Sequence, residues 1–205
     1  GPASPADLRI VFGTDVDTRN VIVRKVTDFQ QTPFWATRQN EDLDTGDVSI
    51  VKFDGGLPAG YGPSQMLGNP SALTKGVTVT LAGYGISNGV TSVGAGKLRK
   101  VDVAVENPAF SKTEVLLNQT QGRGACHGDS GGPAYVKAAN GALLLWGVTS
   151  RGVRDPKNDC GAYSAYTNVL AYTKWMSDAM GNMIKAPTLN AFRPATPAKT
   201  VAQVH

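Results

Sequence analysis

The chain has 205 residues, of which 41% are hydrophobic and 18% are charged, and its net charge is +4. This composition provides a sizeable core and excludes wholesale disorder. The charges are scattered without a basic run, which argues against nucleic-acid binding, and no apolar run is as long as a membrane span. The 24 glycines and 12 prolines indicate many turns, so we expect a chain built mostly of β-strands.

Six segments carry the pattern of β-strands. Most of them alternate apolar and polar residues, as strands with one buried face do, and are bounded by Gly, Asp, Asn or Pro. The last is a continuous apolar run, which predicts a strand buried on both faces. In chain order the segments are Leu8–Phe12, Val21–Val26, Val48–Phe53, Val77–Leu81, Val101–Val105 and the continuous run Leu143–Val148.

One helix is predicted near the end of the chain. Apolar residues recur at helical spacing from Val169 to Met180. Thr167 or Asn168 can cap its start, and Gly181 can end it. The pattern therefore predicts a helix over Thr167–Met180.

A segment rich in glycine and proline, Gly55–Pro70, predicts the connection between two β units. We place the boundary after residue 62, so that residues 1–62 form the first unit and residues 63–181 form the second unit with the helix. Residues 182–205 contain three prolines and little periodicity, which predicts an extended tail.

The most informative block is Cys126–Pro133, with the sequence CHGDSGGP. A serine between tight glycine turns, preceded by an acid, can be held exposed while backbone N–H groups point to a spot beside it. Acyl transfer needs that geometry, because the attacking oxygen and the donors for the developing oxyanion must lie together. The block resembles the nucleophile motif of trypsin- and chymotrypsin-like serine proteases, and Leu81–Gly85 is similar to the strand that opens their second barrel. The resemblance covers roughly Leu8–Met180.

This resemblance implies an all-β fold of two six-stranded antiparallel β-barrels with a C-terminal helix. Residues 1–62 would be the remainder of the N-terminal barrel, incomplete here, and residues 63–181 would be the C-terminal barrel and its helix. An incomplete barrel exposes strand edges, which favours pairing with another chain. A separate chain that carries the missing N-terminal segment is therefore a candidate partner, beside the peptide or protein substrate.

The resemblance also assigns catalytic roles. Ser130 would be the nucleophile, and the N–H groups of Gly128 and Ser130 would form the oxyanion hole. Asp47 would be the carboxylate that orients a histidine base, because an apolar strand follows it directly. Asp44 is the weaker candidate, since further turn residues separate it from that strand.

The general base of the family has no counterpart at the expected place. The chain has two histidines, His127 and His205, and neither precedes Asp47. His127 is expected at the mouth of the substrate pocket, and His205 ends the tail. Leu8–Gly13 resembles the strand that follows the histidine block of the family, so the resemblance implies that the chain begins just after the base. We therefore expect a serine endopeptidase as the parent protein and almost no activity from this chain alone.

The substrate pocket of the family lies around two cysteines that Cys126 and Cys160 match. The resemblance implies a disulfide between them and a secreted or otherwise extracytoplasmic protein, while two buried thiols are the alternative. The pocket floor would be Gly124 followed by Ala125, with no carboxylate. The other expected substrate-binding residues are His127, Ser150, Arg151, Gly152, Gly161 and Tyr163.

An uncharged slot with glycine walls favours large apolar or aromatic P1 side chains. If Asp159 turned inward, basic side chains would be accepted instead. The chemistry needs no metal or organic cofactor; acid-rich turns at Thr14–Asp17 and Glu41–Asp44 could hold Ca²⁺, but solvated loops are the simpler interpretation. The competing hypothesis is a non-catalytic protease homologue that has lost its base and acts as a binding or scaffold module.

Overall fold

The computed structural model describes residues 4–185, which form two β-sheets and two helices. The helices are α1 (Pro33–Arg38) and α2 (Thr173–Lys185). The strands are β1 (Arg9–Phe12), β2 (Ile22–Gln31), β3 (Ser49–Phe53), β4 (Gln65–Met66), β5 (Thr78–Gly83), β6 (Arg99–Asn107), β7 (Glu114–Asn118), β8 (Pro133–Lys137), β9 (Leu143–Val153) and β10 (Tyr163–Asn168).

The larger sheet closes on itself. Its strand order is β10-β7-β6-β5-β8-β9-β4, and β10 also pairs with β9, so that six antiparallel strands form a closed barrel. The short strand β4 adds to β9 in parallel. A smaller sheet of order β1-β2-β3 precedes the barrel, and α2 follows it. The all-β class with a closed six-stranded barrel, a second sheet and a C-terminal helix confirms the fold that the resemblance implied.

The barrel core follows from the alternation seen in the sequence. In β5, Val79 and Leu81 are 0% and 3% exposed, because residues two apart in a strand point to the same face. Trp146 and Tyr166 pack within the same core with ring centroids 6.0 Å apart. Leu143 is 41% exposed, however, so the continuous apolar run is not buried on both faces along its whole length.

The small sheet contains an aromatic cluster, and a tyrosine that follows β5 bonds to the loop after β1. Phe12 contacts Phe53 and Tyr61, with ring centroids 5.9 and 4.9 Å apart. The hydroxyl of Tyr84, which follows β5, donates a hydrogen bond to the carbonyl of Gly13 at 2.6 Å. The Tyr84 hydrogen bond therefore connects the small sheet to the barrel.

The C-terminal helix starts later than the sequence predicted. Thr167 and Asn168 belong to β10, and the Asn168 side chain then accepts the Leu170 N–H and begins a 3-10 turn over Val169–Tyr172. The α-helix itself is Thr173–Lys185, so the predicted end at Gly181 lies inside it. Glycine costs only about 1 kcal/mol in a helix, which the packed face of α2 outweighs.

The predicted tail falls almost entirely outside the described residues. Residues 182–185 complete α2, while residues 186–205, and with them His205, are not described. Within residues 4–185, no helix combines the length and hydropathy that crossing a membrane requires.

Candidate active site

Ser130 lies in a tight turn directly before β8. The turn is closed by hydrogen bonds from Asp129 N to Cys126 O (3.0 Å) and from Gly132 N to Asp129 O (2.8 Å). Gly131 N donates to the carbonyl of Thr149 on β9, which ties the turn to the barrel. Ser130 itself is exposed and lines a cavity of about 170 Å³. Backbone contacts on both sides therefore hold Ser130 beside this cavity.

The backbone around Ser130 leaves two amides free. The N–H groups of Asp129, Gly131 and Gly132 all donate within the protein, as described above. Among residues 4–185, the N–H groups of Gly128 and Ser130 have no such acceptor. Gly128 has a φ of 92°, a conformation that L side chains rarely adopt. These are the two amides that the sequence assigned to an oxyanion hole.

The Asp129 side chain is seated between two glycines of the Leu81–Gly85 segment. Its Oδ1 accepts the Gly85 N–H at 2.8 Å, and its Oδ2 accepts the Cys126 N–H at 2.9 Å. A Cβ atom on Gly83 would lie 2.0 Å from Oδ1, and one on Gly85 would lie 2.6 Å from Cγ. Only glycine fits at both positions, so the two segments that the sequence singled out separately interlock around this carboxylate.

Asp47 lies at the seam between the small sheet and the barrel. Thr32 Oγ1 donates to the carbonyl of Gly46 at 2.5 Å, and Thr167 Oγ1 donates to the carbonyl of Asp47 at 2.9 Å. Ser150 Oγ donates to Asp47 Oδ2 at 2.8 Å, and Ser150 lines the same cavity as Ser130. The Asp47 carboxylate is thus connected to the pocket through one hydroxyl group.

Burial raises the pKa of Asp47 above its ordinary value of 3.8. The Ser150 hydrogen bond and the positive charge of Arg151 act in the opposite direction, and the negative charge of Glu114 adds to the rise. The net effect is a raised pKa for a carboxyl group that is partly removed from water.

The Asp44 side chain bonds to residues next to β7 and not to residues of the cavity. Its Oδ1 accepts hydrogen bonds from Ser111 Oγ (2.7 Å), Thr113 N (2.9 Å) and Thr113 Oγ1 (2.8 Å). Desolvation alone would raise the pKa of Asp44, but these hydrogen bonds outweigh it and the pKa is lowered. Its side chain therefore fastens the preceding loop to the barrel, which leaves Asp47 as the carboxylate connected to the cavity.

The predicted disulfide between Cys126 and Cys160 is confirmed, with Cα atoms 5.3 Å apart. The alternative of two buried thiols is thereby excluded. The structure does not bring all the expected pocket residues together. Gly124 and Gly161 line a neighbouring cavity of about 290 Å³ on the side of Asp129. The cavity beside Ser130 contains the other expected residues, Ala125, His127, Ser150, Arg151, Gly152 and Tyr163.

A buried glutamine that the sequence analysis missed lines this cavity. Gln119 is 2% exposed. Its Nε2 donates to Ala125 O (2.9 Å) and Cys160 O (3.0 Å), while its Oε1 accepts from Ala125 N and Ser164 Oγ, both at 2.8 Å. The amide therefore uses its donors and its acceptor within the protein and adds an uncharged group to the lining of the cavity. A polar residue directly after the apolar strand β7 was the available signal.

One carboxylate does reach the wall of the cavity, but it is not Asp159. Asp159 lines the neighbouring cavity, and its Oδ1 accepts the Gly161 N–H at 3.0 Å. Asp155 lines the cavity beside Ser130, and its Oδ2 accepts the Cys160 N–H at 2.8 Å. The sequence drew attention to the right loop, although the backbone turns a different acid toward the pocket.

His127 lies exposed at the cavity mouth, with Nε2 3.3 Å from the carbonyl of Asn158. It is the one histidine among residues 4–185, and its ring makes no hydrogen bond to Ser130 there. The ligand atoms of Cys126, His127 and Cys160 lie within 4.8 Å of one another. Both sulfur atoms are bonded to each other, however, so neither can supply a thiolate to a metal ion.

Comparison with known proteins agrees with this geometry. The Trypsin family model matches residues 4–176. The chain is 29% identical over 110 residues to chymotrypsin from Phaedon cochleariae, a match that covers 50% of this chain and 37% of that protein. It is 31% identical over 115 residues to kallikrein-7 from Homo sapiens, covering 51% of this chain and 43% of that protein.

A third relative carries a different description. The chain is 25% identical over 155 residues to the inactive CLIP domain-containing serine protease A3 of Aedes aegypti, covering 65% of this chain and 32% of that protein. In all three matches, the aligned part spans less than half of the relative's length. Together with the closed barrel and the serine turn, the family match over residues 4–176 shows that this chain belongs to the trypsin- and chymotrypsin-like serine protease family.

Proposed function

We propose that the protein containing this chain is a serine endopeptidase that hydrolyses peptide bonds through an acyl-enzyme. Ser130 Oγ attacks the scissile carbonyl, and the amides of Gly128 and Ser130 bind the oxygen that becomes negative. Asp47 orients the histidine that accepts the serine proton. The observation that carries the proposal is that Ser150, whose hydroxyl bonds to Asp47 at 2.8 Å, lines the same cavity as Ser130.

Asp47 has a carboxylate oxygen available for this role. Its Oδ2 accepts the Ser150 hydroxyl, and within residues 4–185 its Oδ1 accepts no hydrogen bond. In the proposed reaction, Oδ1 accepts the Nδ1–H of the imidazole, which fixes the tautomer and stabilises the imidazolium. The histidine then returns the proton to the leaving amine, and water repeats the sequence to release the acid.

The general base is a histidine from outside residues 4–185. His127 does not suit the role, because its ring contacts Asn158 O and makes no hydrogen bond to a carboxylate within residues 4–185. We assign the base to a segment upstream of Asp47 in the parent protein, on the same or a separate polypeptide. Without it the chain retains only the residual acceleration that oxyanion donors provide, so almost no peptidase activity is expected from it alone.

A fluorophosphonate probe that reacts with activated serines tests this proposal. We expect the parent protein with an upstream histidine to be labelled at Ser130, and the Ser130→Ala variant to show only background. The chain alone should be labelled about a thousandfold or more slowly. No labelling of the histidine-containing protein would reject the proposal. Ordinary turnover by the chain alone, abolished by Ser130→Ala, would instead show that these residues contain their own base.

We propose a preference for large apolar or aromatic P1 side chains. The neutral amide of Gln119 and the absence of a side chain at Gly152, both in the lining of the cavity, support it. Peptides that differ only at P1 test it, and kcat/KM for phenylalanine should exceed that for arginine about tenfold or more. A preference for arginine that Asp155→Asn abolishes would assign selectivity to the wall carboxylate instead.

The disulfide between Cys126 and Cys160 supports a secreted or otherwise extracytoplasmic location, because such bonds persist in oxidising compartments. Peptides or proteins in that environment are the proposed substrates. Expression of the parent protein with its own N-terminus, followed by assay of the medium and the cell fraction, tests the location. Accumulation in a reducing compartment with both thiols free would contradict it.

A non-catalytic homologue is the second candidate. It is favoured by the position of His127, whose ring faces Asn158 O, and by the relative from Aedes aegypti that is described as inactive. The sequence encoded before Gly1 distinguishes the two candidates, because only an enzyme needs an upstream histidine. Peptide binding without turnover by the complete protein would support the scaffold function.

A further inference from the structure

Arg151 lies on β9 beside Ser150 and lines the cavity, and its guanidinium group contacts residues at the seam. Its side chain is 28% exposed. Nη1 contacts Glu114 Oε1 at 2.6 Å, and Nη2 contacts Glu114 Oε2 at 3.2 Å. Nη2 also donates to the carbonyl of Asp42. The guanidinium group thus makes a two-pronged ion pair with one unit of the fold and a backbone contact with the other.

Glu114, at the start of β7, is a nearly fully buried carboxylate with a side-chain exposure of 1%. Besides Arg151, its Oε2 accepts the Asp44 N–H at 3.0 Å and Ser111 Oγ at 3.2 Å. A buried charge is tolerated when it is paired and its oxygens are hydrogen-bonded, as here. Glu114 therefore holds both the guanidinium and the loop that leads to Asp47.

The network continues to the candidate site. Arg151 Nη1 lies 3.4 Å from Ser150 Oγ, which in turn donates to Asp47 Oδ2 at 2.8 Å. A continuous series of contacts thus crosses the seam from Glu114 to Asp47. Arg151 supplies the one cation in this series, and Glu114 supplies the counter-charge that fixes it.

We infer that Arg151 and Glu114 are a positioning pair for the Asp47 carboxylate, in which Arg151 supports its ionised form through Ser150 and Glu114 fixes Arg151 and the Asp42–Asp44 loop. The inference rests on the proposed function, in which Asp47 orients the base. Neither residue touches the reacting atoms, so each acts through Asp47. The simpler interpretation is that the pair only fastens the two units together.

The charges of the two residues separate these interpretations. The positive charge of Arg151 lowers the pKa of Asp47, and the negative charge of Glu114 raises it. The other side chains that bond to this segment, Thr32 and Thr167, carry no charge. Glutamine keeps the shape of Glu114 and an oxygen that accepts from Arg151, so Glu114→Gln removes the negative charge while Arg151 stays in place, and the Asp47 midpoint falls. Arg151→Gln removes the cation, and the midpoint rises. Simple loosening of the seam would instead move both midpoints down toward the ordinary value.

The test is a carboxyl-carbon NMR titration of Asp47 in this chain, with the amide spectrum as a check that each variant is folded. We expect the Asp47 midpoint to rise in Arg151→Gln and to fall in Glu114→Gln. Arg151→Lys keeps the charge, so its midpoint should stay close to that of the wild type. Midpoints that move in the same direction in both neutral variants, or a rise in Arg151→Lys equal to that in Arg151→Gln, would overturn the inference. If Arg151→Gln does not fold, Arg151→Lys decides alone: a midpoint close to that of the wild type supports the inference, and a clear shift away from it overturns the inference.

Labelling of Ser130 in the histidine-containing parent protein distinguishes failure of the inference from failure of the function. If Ser130 is labelled but the midpoints move together, the inference fails and the endopeptidase proposal stands. If the midpoints move in opposite directions but Ser130 stays unlabelled, Asp47 has no base to orient. The positioning role would then be overturned together with the proposed function, leaving only the electrostatic coupling.

Discussion

Replacing Gln119 with leucine tests whether the buried amide builds the pocket. The substitution removes hydrogen bonds to Ala125 N, Ala125 O, Cys160 O and Ser164 Oγ, and leaves these groups without a partner at a site where the side chain is 2% exposed. At about 1 kcal/mol for each bond the loss is about 4 kcal/mol. The larger apolar surface of leucine offsets about 1 kcal/mol, so we expect a net loss of about 3 kcal/mol in the free energy of unfolding.

Urea unfolding of the oxidised protein, followed by tryptophan fluorescence, measures this loss. For a domain of this size, about 3 kcal/mol corresponds to a fall in Tm of about 6–12 °C. Gln121→Leu is the matched control, because Gln121 is exposed and its amide oxygen accepts only from Arg123 at 3.3 Å. The control should change the free energy of unfolding by less than about 0.5 kcal/mol.

Equal effects of the two substitutions would refute the reasoning. A loss below about 1 kcal/mol for Gln119→Leu would mean that water or rearranged backbone satisfies the exposed groups. The Gln119 amide would then occupy space beside the cavity without holding Ala125, Cys160 and Ser164 in place, and the proposed neutral lining would not depend on it.

Three further substitutions test the disulfide, the seat of Asp129 and the charge of Asp47. Replacing Cys126 and Cys160 with alanine opens a loop of sequence separation 34 and should lower the free energy of unfolding by about 4 kcal/mol, measured in urea against the oxidised protein. Gly85→Ala should slow probe labelling of the histidine-containing protein about tenfold or more, because the new Cβ would lie 2.6 Å from Asp129 Cγ and displace the serine turn. Gly62→Ala is the control and should not slow labelling, because nothing lies within 4 Å of a Cβ there. Asp47→Asn should raise the urea midpoint at pH 7, because the pKa of Asp47 is raised in the folded state and its ionised form therefore opposes folding. Below pH 3.8 the carboxyl group is protonated in both states, so the gain should vanish there. A gain that persists undiminished below pH 3.8 would show that the charge of Asp47 is not its cause.

The parts of the fold that the sequence predicted are those that local alternation determines. β5 and β6 were found because apolar residues two apart enter the barrel core. β7 was missed because its first residue, Glu114, is charged, and a charged residue is more typical of a turn than of a buried strand. Glu114 is buried because its charge is paired with Arg151, which lies far along the chain, and its Oε2 also accepts the Asp44 N–H and the Ser111 hydroxyl. Strand β8, which begins with a proline, gave no local signal either.

In the candidate site too, local motifs were predicted and contacts between distant segments were not. The serine turn is a local motif, so its residues could be named from the sequence. Asp47 and Ser150 were expected separately, as a catalytic carboxylate and a substrate-binding residue, and the contact between them was not predicted. The pocket floor was placed at Gly124, but that glycine serves to admit the side chain of Gln119, since a Cβ there would lie 2.2 Å from Gln119 Cδ. Contacts between distant segments of this kind leave no trace in spacing or periodicity.

The two halves of the proposed catalytic apparatus therefore have separate supports. The amides of Gly128 and Ser130 depend on the seat of Asp129 within the barrel, where glycines and a disulfide define the backbone. The position of Asp47 depends on polar contacts across the seam, through Ser150 and Arg151. Both supports contain a hydrogen-bonded carboxylate, but the hydrogen bonds of Asp129 and those of Asp47 share no residue. A substitution at the seam should consequently alter the titration of Asp47 while leaving the oxyanion amides in place.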